Sequence, residues 1–240
     1  ATFLQNVNVG VAITAGKLGI GFTDTQVKIG NTALDSLTTG TNNTAVGDAA
    51  LTATTTGVKN NAIGVRALTA NTTGENNNAV GYQALDANTT GSENCAFGQS
   101  ALGANTTADN NSAFGHNALV ANTTGEKNTA LGTFALDANT TANNNTAVGY
   151  AALGANTTGT ENTATGSASL QKTTTGDNNT AVGYAALHEN ITADNNTAVG
   201  KFALYANTTG SYNVSVGANA LDANTTANYN TAIGSQALSG

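Results

Sequence analysis

The sequence predicts an all-β fold, a parallel β-solenoid whose coils repeat a 17-residue unit. Glycine recurs at this interval without one insertion or deletion, so a single local structure is copied thirteen times. Such a unit is too short for two packed helices and a turn, which leaves strands as the repeated element. It also cannot bury its own apolar side chains, so neighbouring copies must stack and share a core. The repeated glycines are Gly30, Gly47, Gly64, Gly81, Gly98, Gly115, Gly132, Gly149, Gly166, Gly183, Gly200, Gly217 and Gly234.

We number the repeating unit from four residues before its glycine, as N-T-A-V-G-x-x-A-L-x-A-N-T-T-G-x-x. The glycine then stands at position 5, and thirteen copies divide residues 26–240 into the coils of one solenoid domain. Successive coils of such a solenoid lie about 4.7–4.9 Å apart, which predicts a rod roughly 60 Å long. Equivalent residues of successive coils therefore form columns along the rod.

Two short strands are predicted in each coil. T-A-V at positions 2–4 alternates side chains across a strand, and A-L-x-A at positions 8–11 is interpreted as a second extended run. The glycine between them is expected at a corner that needs a positive φ or close passage of the backbone. Asparagine at positions 1 and 12 predicts ladders of amide hydrogen bonds between coils, next to an Asn-Thr-Thr-Gly turn.

Leucine at position 9 is the predicted core residue of each coil. It is the one large apolar side chain that every copy carries at the same place, and alanine at positions 3 and 8 completes a thin core of small residues. The core leucines are Leu51, Leu68, Leu85, Leu102, Leu119, Leu136, Leu153, Leu170, Leu187, Leu204 and Leu221.

The column at position 4 is apolar as well. Because neighbouring strand residues face opposite sides, position 4 must point out of the coil if position 3 points in. Monomeric soluble proteins avoid an exposed apolar stripe of this length, so we expect other copies of the chain to cover it. The simplest such assembly is a parallel homotrimer around an apolar axis, and the alternative is a wider monomeric solenoid with position 4 inside. The predicted axis residues are Ile29, Val46, Ile63, Val80, Phe97, Phe114, Leu131, Val148, Val182, Val199, Val216 and Ile233.

Residues 1–25 break the repeat and predict a β-hairpin, which is a candidate cap for the solenoid or a docking segment. Docking of this hairpin on the last coil of another molecule would build a head-to-tail filament. The chain starts at Ala1 without a signal sequence, which we interpret as a removed leader or a segment of a longer protein. The candidate docking residues are Val7, Val9, Val11 and Ile13.

The unit N-T-A-V-G-Y-x-A-L, as in residues 145–153 and 179–187, resembles the N-S-V-A-I-G repeat of YadA-type trimeric autotransporter adhesin heads. It is also similar to repeats of phage and bacterial tail-fibre proteins. The resemblance covers residues 26–240 and implies a left-handed parallel β-roll, three of which pack about an apolar axis. It matches Ala147, Val148 and Gly149 to the Ala-Ile-Gly of the adhesins, which implies that the Val148 column lies at the axis. The present unit is longer by its Asn-Thr-Thr-Gly turn.

Composition argues against several classes of function. A net charge of −7, with only seven scattered Lys and Arg, lacks the basic stripe that nucleic-acid binding needs. No run of about 18 apolar residues is present to span a bilayer. The glycine-aspartate nonapeptide of calcium-binding β-rolls is absent too. We therefore expect no nucleic acid, membrane insertion, metal or cofactor.

The residues that could carry catalysis are scattered. His116 and His188 occupy different unit positions, so they do not stack into a pair, and the single Cys95 replaces threonine at position 2. Asp109 and Asp194 are typical turn formers. The aspartates at position 10 lie several coils apart, about 14–24 Å at strand spacing, which is too far for a carboxylate dyad. We predict no enzyme. These position 10 aspartates are Asp35, Asp86, Asp137 and Asp222.

The predicted function is that of an extracellular structural rod, in a surface adhesin, a phage-type tail-fibre shaft for host attachment, or a self-assembling filament. Its partners would be other copies of the chain and a cell-surface or matrix receptor, contacted through the variable positions 6, 7, 10, 16 and 17. Ice binding is an alternative, since threonine arrays on a solenoid present a regular surface. Threonines at positions 13 and 14 are adjacent and point to opposite sides, so only positions 12 and 14 could share a face.

The Asn-Thr-Thr turn also creates N-glycosylation sequons as a by-product of the repeat. Their number therefore predicts little about glycosylation. They stand at Asn71, Asn88, Asn105, Asn122, Asn139, Asn156, Asn190, Asn207 and Asn224.

Overall fold

The computed structural model describes residues 26–239, which form a parallel β-solenoid with coils of 17 residues. Each coil contributes one three-residue strand, and residues 26–239 contain no helix. The strands pair in chain order in one 13-stranded sheet, with Ala45 opposite Ala62 and every other residue opposite its equivalent. The strands are β1 (Val27–Ile29), β2 (Thr44–Val46), β3 (Asn61–Ile63), β4 (Asn78–Val80), β5 (Cys95–Phe97), β6 (Ser112–Phe114), β7 (Thr129–Leu131), β8 (Thr146–Val148), β9 (Thr163–Thr165), β10 (Thr180–Val182), β11 (Thr197–Val199), β12 (Val214–Val216) and β13 (Thr231–Ile233). The hairpin predicted over residues 1–25, with Val7, Val9, Val11 and Ile13, lies outside the described residues.

The glycine at position 5 ends each strand at a corner. Gly149, for example, has a φ of 137°, a conformation that L side chains rarely adopt. A Cβ atom built on it would lie 2.6 Å from the carbonyl carbon and oxygen of Gly166 in the next coil. Both reasons expected for this column, a positive φ and close passage of the backbone, are therefore present together.

The second strand expected at positions 8–11 is wrong, because this segment forms a turn. Leu153 at position 9 has a φ of 51°, in the left-handed region, and the other leucines of this column have similar values. Its N–H still donates to the next coil, to the carbonyl oxygen of Ser169 at 3.0 Å, so coils stay bonded here without an extended backbone. The left-handed conformation costs a leucine roughly 1–2 kcal/mol. Full burial of its side chain offsets this with about 1.5–3 kcal/mol.

One half of the coil interior is apolar. The alanines at positions 3 and 8 and the leucine at position 9 are buried, as Ala147, Ala152 and Leu153 illustrate with 0% exposure. These columns form one continuous cluster along the rod. Each coil therefore completes the core of its neighbour, because a single coil could not bury its own apolar side chains.

The other half of the interior is polar and consists mainly of asparagine side chains. At position 12, Asn139 Nδ2 donates to Asn122 Oδ1 at 2.8 Å, and Asn156 Nδ2 donates to Asn139 Oδ1 at 3.0 Å. At position 1, the backbone N–H of Asn145 donates to Asn128 Oδ1 at 3.0 Å. The ladders expected at both positions are present. At position 12 they join side chain to side chain, whereas at position 1 the carboxamide oxygen accepts mainly from the backbone N–H of the next asparagine. Buried amides are costly unless paired, so these ladders are what makes a polar interior stable.

Candidate interaction surfaces

The outward face of the sheet carries the apolar column at position 4. The position 3 alanines are buried, whereas Ile63 is 40% exposed and Leu131 is 50% exposed in the single chain. The alternative with position 4 inside a wider coil is therefore wrong. We call the outward face formed by positions 2 and 4 of β1–β13 the sheet face. Thr165 stands in the apolar column of the sheet face in place of an aliphatic or aromatic residue.

The sheet face carries no charged residue. Positions 2 and 4 supply 26 side chains along the thirteen strands, and none is Asp, Glu, Lys or Arg. The charged residues of residues 26–239 lie almost entirely at positions 6, 7, 10, 11, 16 and 17, with Lys28 as the exception. A solvated surface normally mixes charges of both signs over all its faces. Charge is thus confined to the other faces of this rod.

Stacking along the sheet face is direct. Phe97 and Phe114, in neighbouring coils, lie with ring centroids 5.1 Å apart and planes 8° from parallel. Offset stacking of this kind stabilises aromatic pairs beyond the burial of their area.

Cys95, at position 2 of β5, is half-buried on the same face and forms no disulfide among the described residues.

The Asn-Thr-Thr turn offers one exposed row of threonines. Position 12 is inside the coil, and the position 13 hydroxyl is used within the fold, as when Thr140 Oγ1 donates to the carbonyl oxygen of Thr157 at 3.2 Å. Only position 14, such as Thr141, is fully on the surface. The shared face of positions 12 and 14 that the ice-binding alternative needs is therefore not formed.

The sequon asparagines are inside the coils. Those from Asn71 to Asn207 are 0% exposed, and only Asn224 is partly exposed. Asn139 illustrates the consequence, since its Nδ2 donates both to Asn122 Oδ1 and to the carbonyl oxygen of Ala142. A glycan on this nitrogen would remove a donor of the ladder and could not fit in the interior.

Position 16 has a structural role that its varied sequence conceals. In seven coils the side chain at position 16 accepts from the backbone N–H of position 16 in the preceding coil. Asp109 Oδ1 accepts from the Ser92 N–H at 2.7 Å, and Asp194 Oδ1 accepts from the Asp177 N–H at 2.8 Å. The shared signal is a short side chain with an acceptor oxygen, which is Ser, Asn or Asp in these coils. These carboxylates therefore hold the turn and are not candidate catalytic groups.

Aromatic side chains gather on the surface formed by positions 6, 7 and 10. His116 packs edge-on against Phe134 at 5.4 Å between ring centroids, and Phe134 packs edge-on against Tyr150 at 6.0 Å. The coil repeat produces this row, because positions 6 and 7 of successive coils lie side by side. Tyr150 remains 57% exposed.

A groove of about 560 Å³ opens beside this aromatic row, and we call it the Gly154 groove. Its walls are Phe134, Tyr150, Asp137, Gln171 and Lys172. Gly154 forms the floor because it occupies position 10 between Asp137 and Gln171, so the column lacks a side chain there. The missing side chain is the local cause of the groove.

The polar groups of the Gly154 groove differ in their hydrogen-bonding capacity. Partial burial raises the pKa of the Asp137 carboxyl, which pairs with no other side chain among residues 26–239. Gln171 Oε1 is bonded to His188 Nε2 at 2.8 Å, so its amide N–H groups remain as donors. Lys172 Nζ binds both oxygens of Glu189, at 2.9 and 2.7 Å, which lowers the pKa of Glu189. Acceptors and donors thus stand side by side around an aromatic wall.

A second, smaller cluster of the same kind lies further along the rod. Phe202 packs edge-on against Tyr184 and Tyr205, and His188 stacks on Tyr205 at 5.2 Å between centroids. A groove of about 230 Å³ is lined there by Phe202, Tyr205 and Asp222. Each groove combines a phenylalanine at position 7 with an aspartate at position 10. Each also has a tyrosine, at position 6 in the first groove and at position 10 in the second.

The histidines and aspartates that were considered for catalysis are not brought together. His116 and His188 belong to the two separate aromatic clusters, and Asp86 lies beside Arg66 and Gln83. Burial raises the pKa of Asp86, although Arg66 and Gln83 act in the opposite direction. Within residues 26–239 no group of three His, Cys, Asp or Glu is placed to hold a metal ion. Sequence reasoning did not find the grooves, because they arise from differences between neighbouring coils.

Residues 26–239 include no helix that is long and apolar enough to cross a membrane. Two surfaces of the rod are distinctive, namely the sheet face and the aromatic row with its grooves. Neither a protein family, nor a curated protein, nor a solved structure matches this chain.

Proposed function

We propose that this chain is the non-enzymatic structural rod of an extracellular fibre and that it associates with copies of itself through the sheet face. The supporting observation is the sheet face, which combines a half-exposed apolar column with a complete lack of charge. Monomeric soluble proteins rarely expose continuous apolar patches of this length. Association removes the apolar stripe from water, which is the main favourable contribution to most protein–protein association.

A second copy of the chain is the partner whose dimensions fit best. The sheet face extends along all thirteen strands, and its rows repeat once per coil. A parallel copy presents rows with the same spacing, so contacts that form at one coil recur at every coil. Closed cyclic symmetry then covers the face of each copy without leaving an edge.

A parallel trimer is the cyclic assembly that we propose. Three sheet faces turned to one axis place the position 4 side chains together and leave positions 6, 7, 10, 16 and 17 at the outside. The resemblance to YadA-type adhesin heads agrees with this arrangement and implies left-handed coils. Head-to-tail stacking through residues 7–13 stays a prediction, because those residues lie outside the described part of the chain.

The fibre could serve as an adhesin rod or as a phage-type shaft for host attachment, and both uses need the same geometry. A rigid stack of coils holds the outward residues at fixed spacing, where a cell-surface or matrix receptor could contact them. We do not propose ice binding, because the turn presents one threonine row instead of two co-facing rows.

The test is the molar mass of the protein in solution. We expect light scattering after size exclusion to give three times the mass of one chain, and negative-stain images to show elongated particles. Val148→Asp together with Val182→Asp places three charges per layer at the axis and should yield monomers. Thr158→Asp with Thr192→Asp is the matched control, since it adds the same charge at exposed position 14 of the same two coils. A monomeric wild type, or an unchanged mass in the valine variant, would refute the proposed assembly.

A further inference from the structure

We propose that the Gly154 groove binds a saccharide. Phe134 and Tyr150 form an apolar wall on one side, and Asp137, Gln171 and Lys172 surround the rest of the opening. Sugar rings have the same two-sided character, with apolar C–H faces and a rim of hydroxyl groups. The proposal rests on the adhesive part of the proposed function and names the chemical class of its ligand.

The polar groups of the groove match hydroxyl groups in particular. A hydroxyl donates one hydrogen bond and accepts others, so a polyol needs both kinds of partner. The Asp137 carboxylate only accepts, the Lys172 ammonium only donates, and the unbonded part of the Gln171 amide donates. A cationic ligand would need acceptors alone and would be repelled by Lys172. An anionic ligand would be repelled by Asp137.

The existing contacts hold these groups in place before any ligand arrives. Glu189 fixes the Lys172 ammonium, and His188 fixes the Gln171 carboxamide through Oε1. Phe134 is held between His116 and Tyr150 by edge-on ring contacts. A preorganised site loses less conformational entropy on binding than a mobile one.

A second groove has a similar composition in a different arrangement, because Tyr205 stands at position 10 in the coil of Phe202 and Asp222 lies in the next coil. It repeats the combination of Phe202, a tyrosine and an aspartate on the same side of the rod, four coils from Phe134. Coils lie about 4.7–4.9 Å apart, so the two aromatic clusters stand roughly 19 Å from each other along one line. Such a row suits an extended oligosaccharide that contacts both clusters.

The experiment uses the full chain in two steps. An array of oligosaccharides with glucose, galactose, mannose and N-acetylhexosamine units identifies a binder, and calorimetry with that oligosaccharide gives its Kd. We expect Tyr150→Ala and Asp137→Asn each to weaken binding by roughly tenfold or more, since each removes one of the few groups that contact the sugar. Gly154→Gln should abolish binding by filling the floor.

Gly103→Gln is the matched control. Gly103 also occupies position 10 beside an aspartate, Asp86, and a Cβ atom there meets neighbours at distances similar to those at Gly154. This variant should bind as tightly as the wild type. Oligomer mass is measured for every variant and should not change, which separates failure of this inference from failure of the trimer.

Three outcomes would overturn the inference. One is the absence of binding to every arrayed oligosaccharide. Another is unchanged affinity in the Gly154→Gln variant, which would place the sugar elsewhere. The third is binding of choline, used as a cationic probe, with no binding of sugars, which would show an ammonium site in the groove.

Discussion

At the scale of single residues, the position 5 glycine is required for two independent reasons. Its φ near +140° excludes L side chains, and the carbonyl of the next coil occupies the space that a Cβ atom would need. The glycine at position 15 differs, because alanine stands there in four coils, at Ala108, Ala142, Ala193 and Ala227. A Cβ atom at Gly176 would approach the carbonyl oxygen of Ala193 at least as closely, so the alanines of this column show that a small shift relieves such a contact where φ is ordinary.

Gly149→Ala should destabilise the fold by roughly 1–3 kcal/mol from backbone strain, with the close carbonyl adding to this. Gly154→Ala, in the same coil, is the control. Its φ lies outside the left-handed region, and its Cβ would lie 3.3 Å from both the carbonyl oxygen of Ala151 and Asp137 Oδ1. Position 10 carries a side chain in the neighbouring coils, as Asp137 and Gln171, so we expect little loss of stability. Hydrogen exchange of the coils around each site would measure the difference. Equal effects of the two substitutions would contradict the assigned role of position 5.

One side chain shows what happens where a ladder is interrupted. Within residues 26–239, Asn156 Oδ1 is the buried side-chain atom that lacks a hydrogen-bond partner. The next residue in its column is Thr173, where the other central coils carry asparagine. Thr173 has no side-chain amide to donate, and its hydroxyl accepts from Asn190 Nδ2 at 3.4 Å on the other side. The substitution in the sequence therefore accounts for the unpaired oxygen.

Thr173→Asn should stabilise the protein by about 1 kcal/mol, because the new Nδ2 would pair with Asn156 Oδ1 and restore the ladder. The midpoint of urea unfolding measures this. Thr174→Asn is the control at the neighbouring position 13, where the Thr174 hydroxyl donates to the carbonyl oxygen of Ile191. This substitution should not raise the unfolding midpoint. A lower midpoint for Thr173→Asn would show that the unpaired oxygen is not a defect of the fold.

At the scale of the coil, the sequence predicted some features better than others. The strand at positions 2–4, the leucine and alanine core and the asparagine ladders follow from periodicity, because the same side chain faces the same place in every copy. The turn at positions 8–11 did not follow, since a left-handed leucine opposes the ordinary preference of that residue. The Gly154 groove did not follow either, because it depends on one small residue between two larger ones in neighbouring coils.

Deletion of residues 111–127, one complete coil, should leave the fold and its unfolding midpoint nearly unchanged. Asn110 would then join Asn128, which restores every column in register. Deletion of residues 111–119 is the control, because the remaining part of that coil cannot close around the core. Circular dichroism on heating compares the two. If the complete-coil deletion unfolds as readily as the partial one, the coil is not the unit of the structure.

At the scale of the whole molecule, the solenoid of residues 26–239 has one long axis, and its strands make no contact beyond the neighbouring coils. Each strand contacts only the strand before and the strand after it. Stability is then a sum of nearly equal terms for each coil and for each coil–coil boundary. The faces differ in what they offer, since the sheet face is uncharged along its length whereas the grooves are confined to particular coils.

The bonds between successive coils also determine how the rod responds to a pull on its two ends. Each coil is joined to its neighbour by nearly the same set of backbone hydrogen bonds, so the boundaries between coils differ little in strength. Coils should detach singly from an end, and each releases 17 residues of contour, about 56–61 Å at full extension, in place of a rise of about 4.8 Å. A single-molecule force trace should therefore show a series of similar steps of about 51–56 Å. Under load, a rod of this construction lengthens by small repeated increments, because one coil unfolds at a time while the others stay folded.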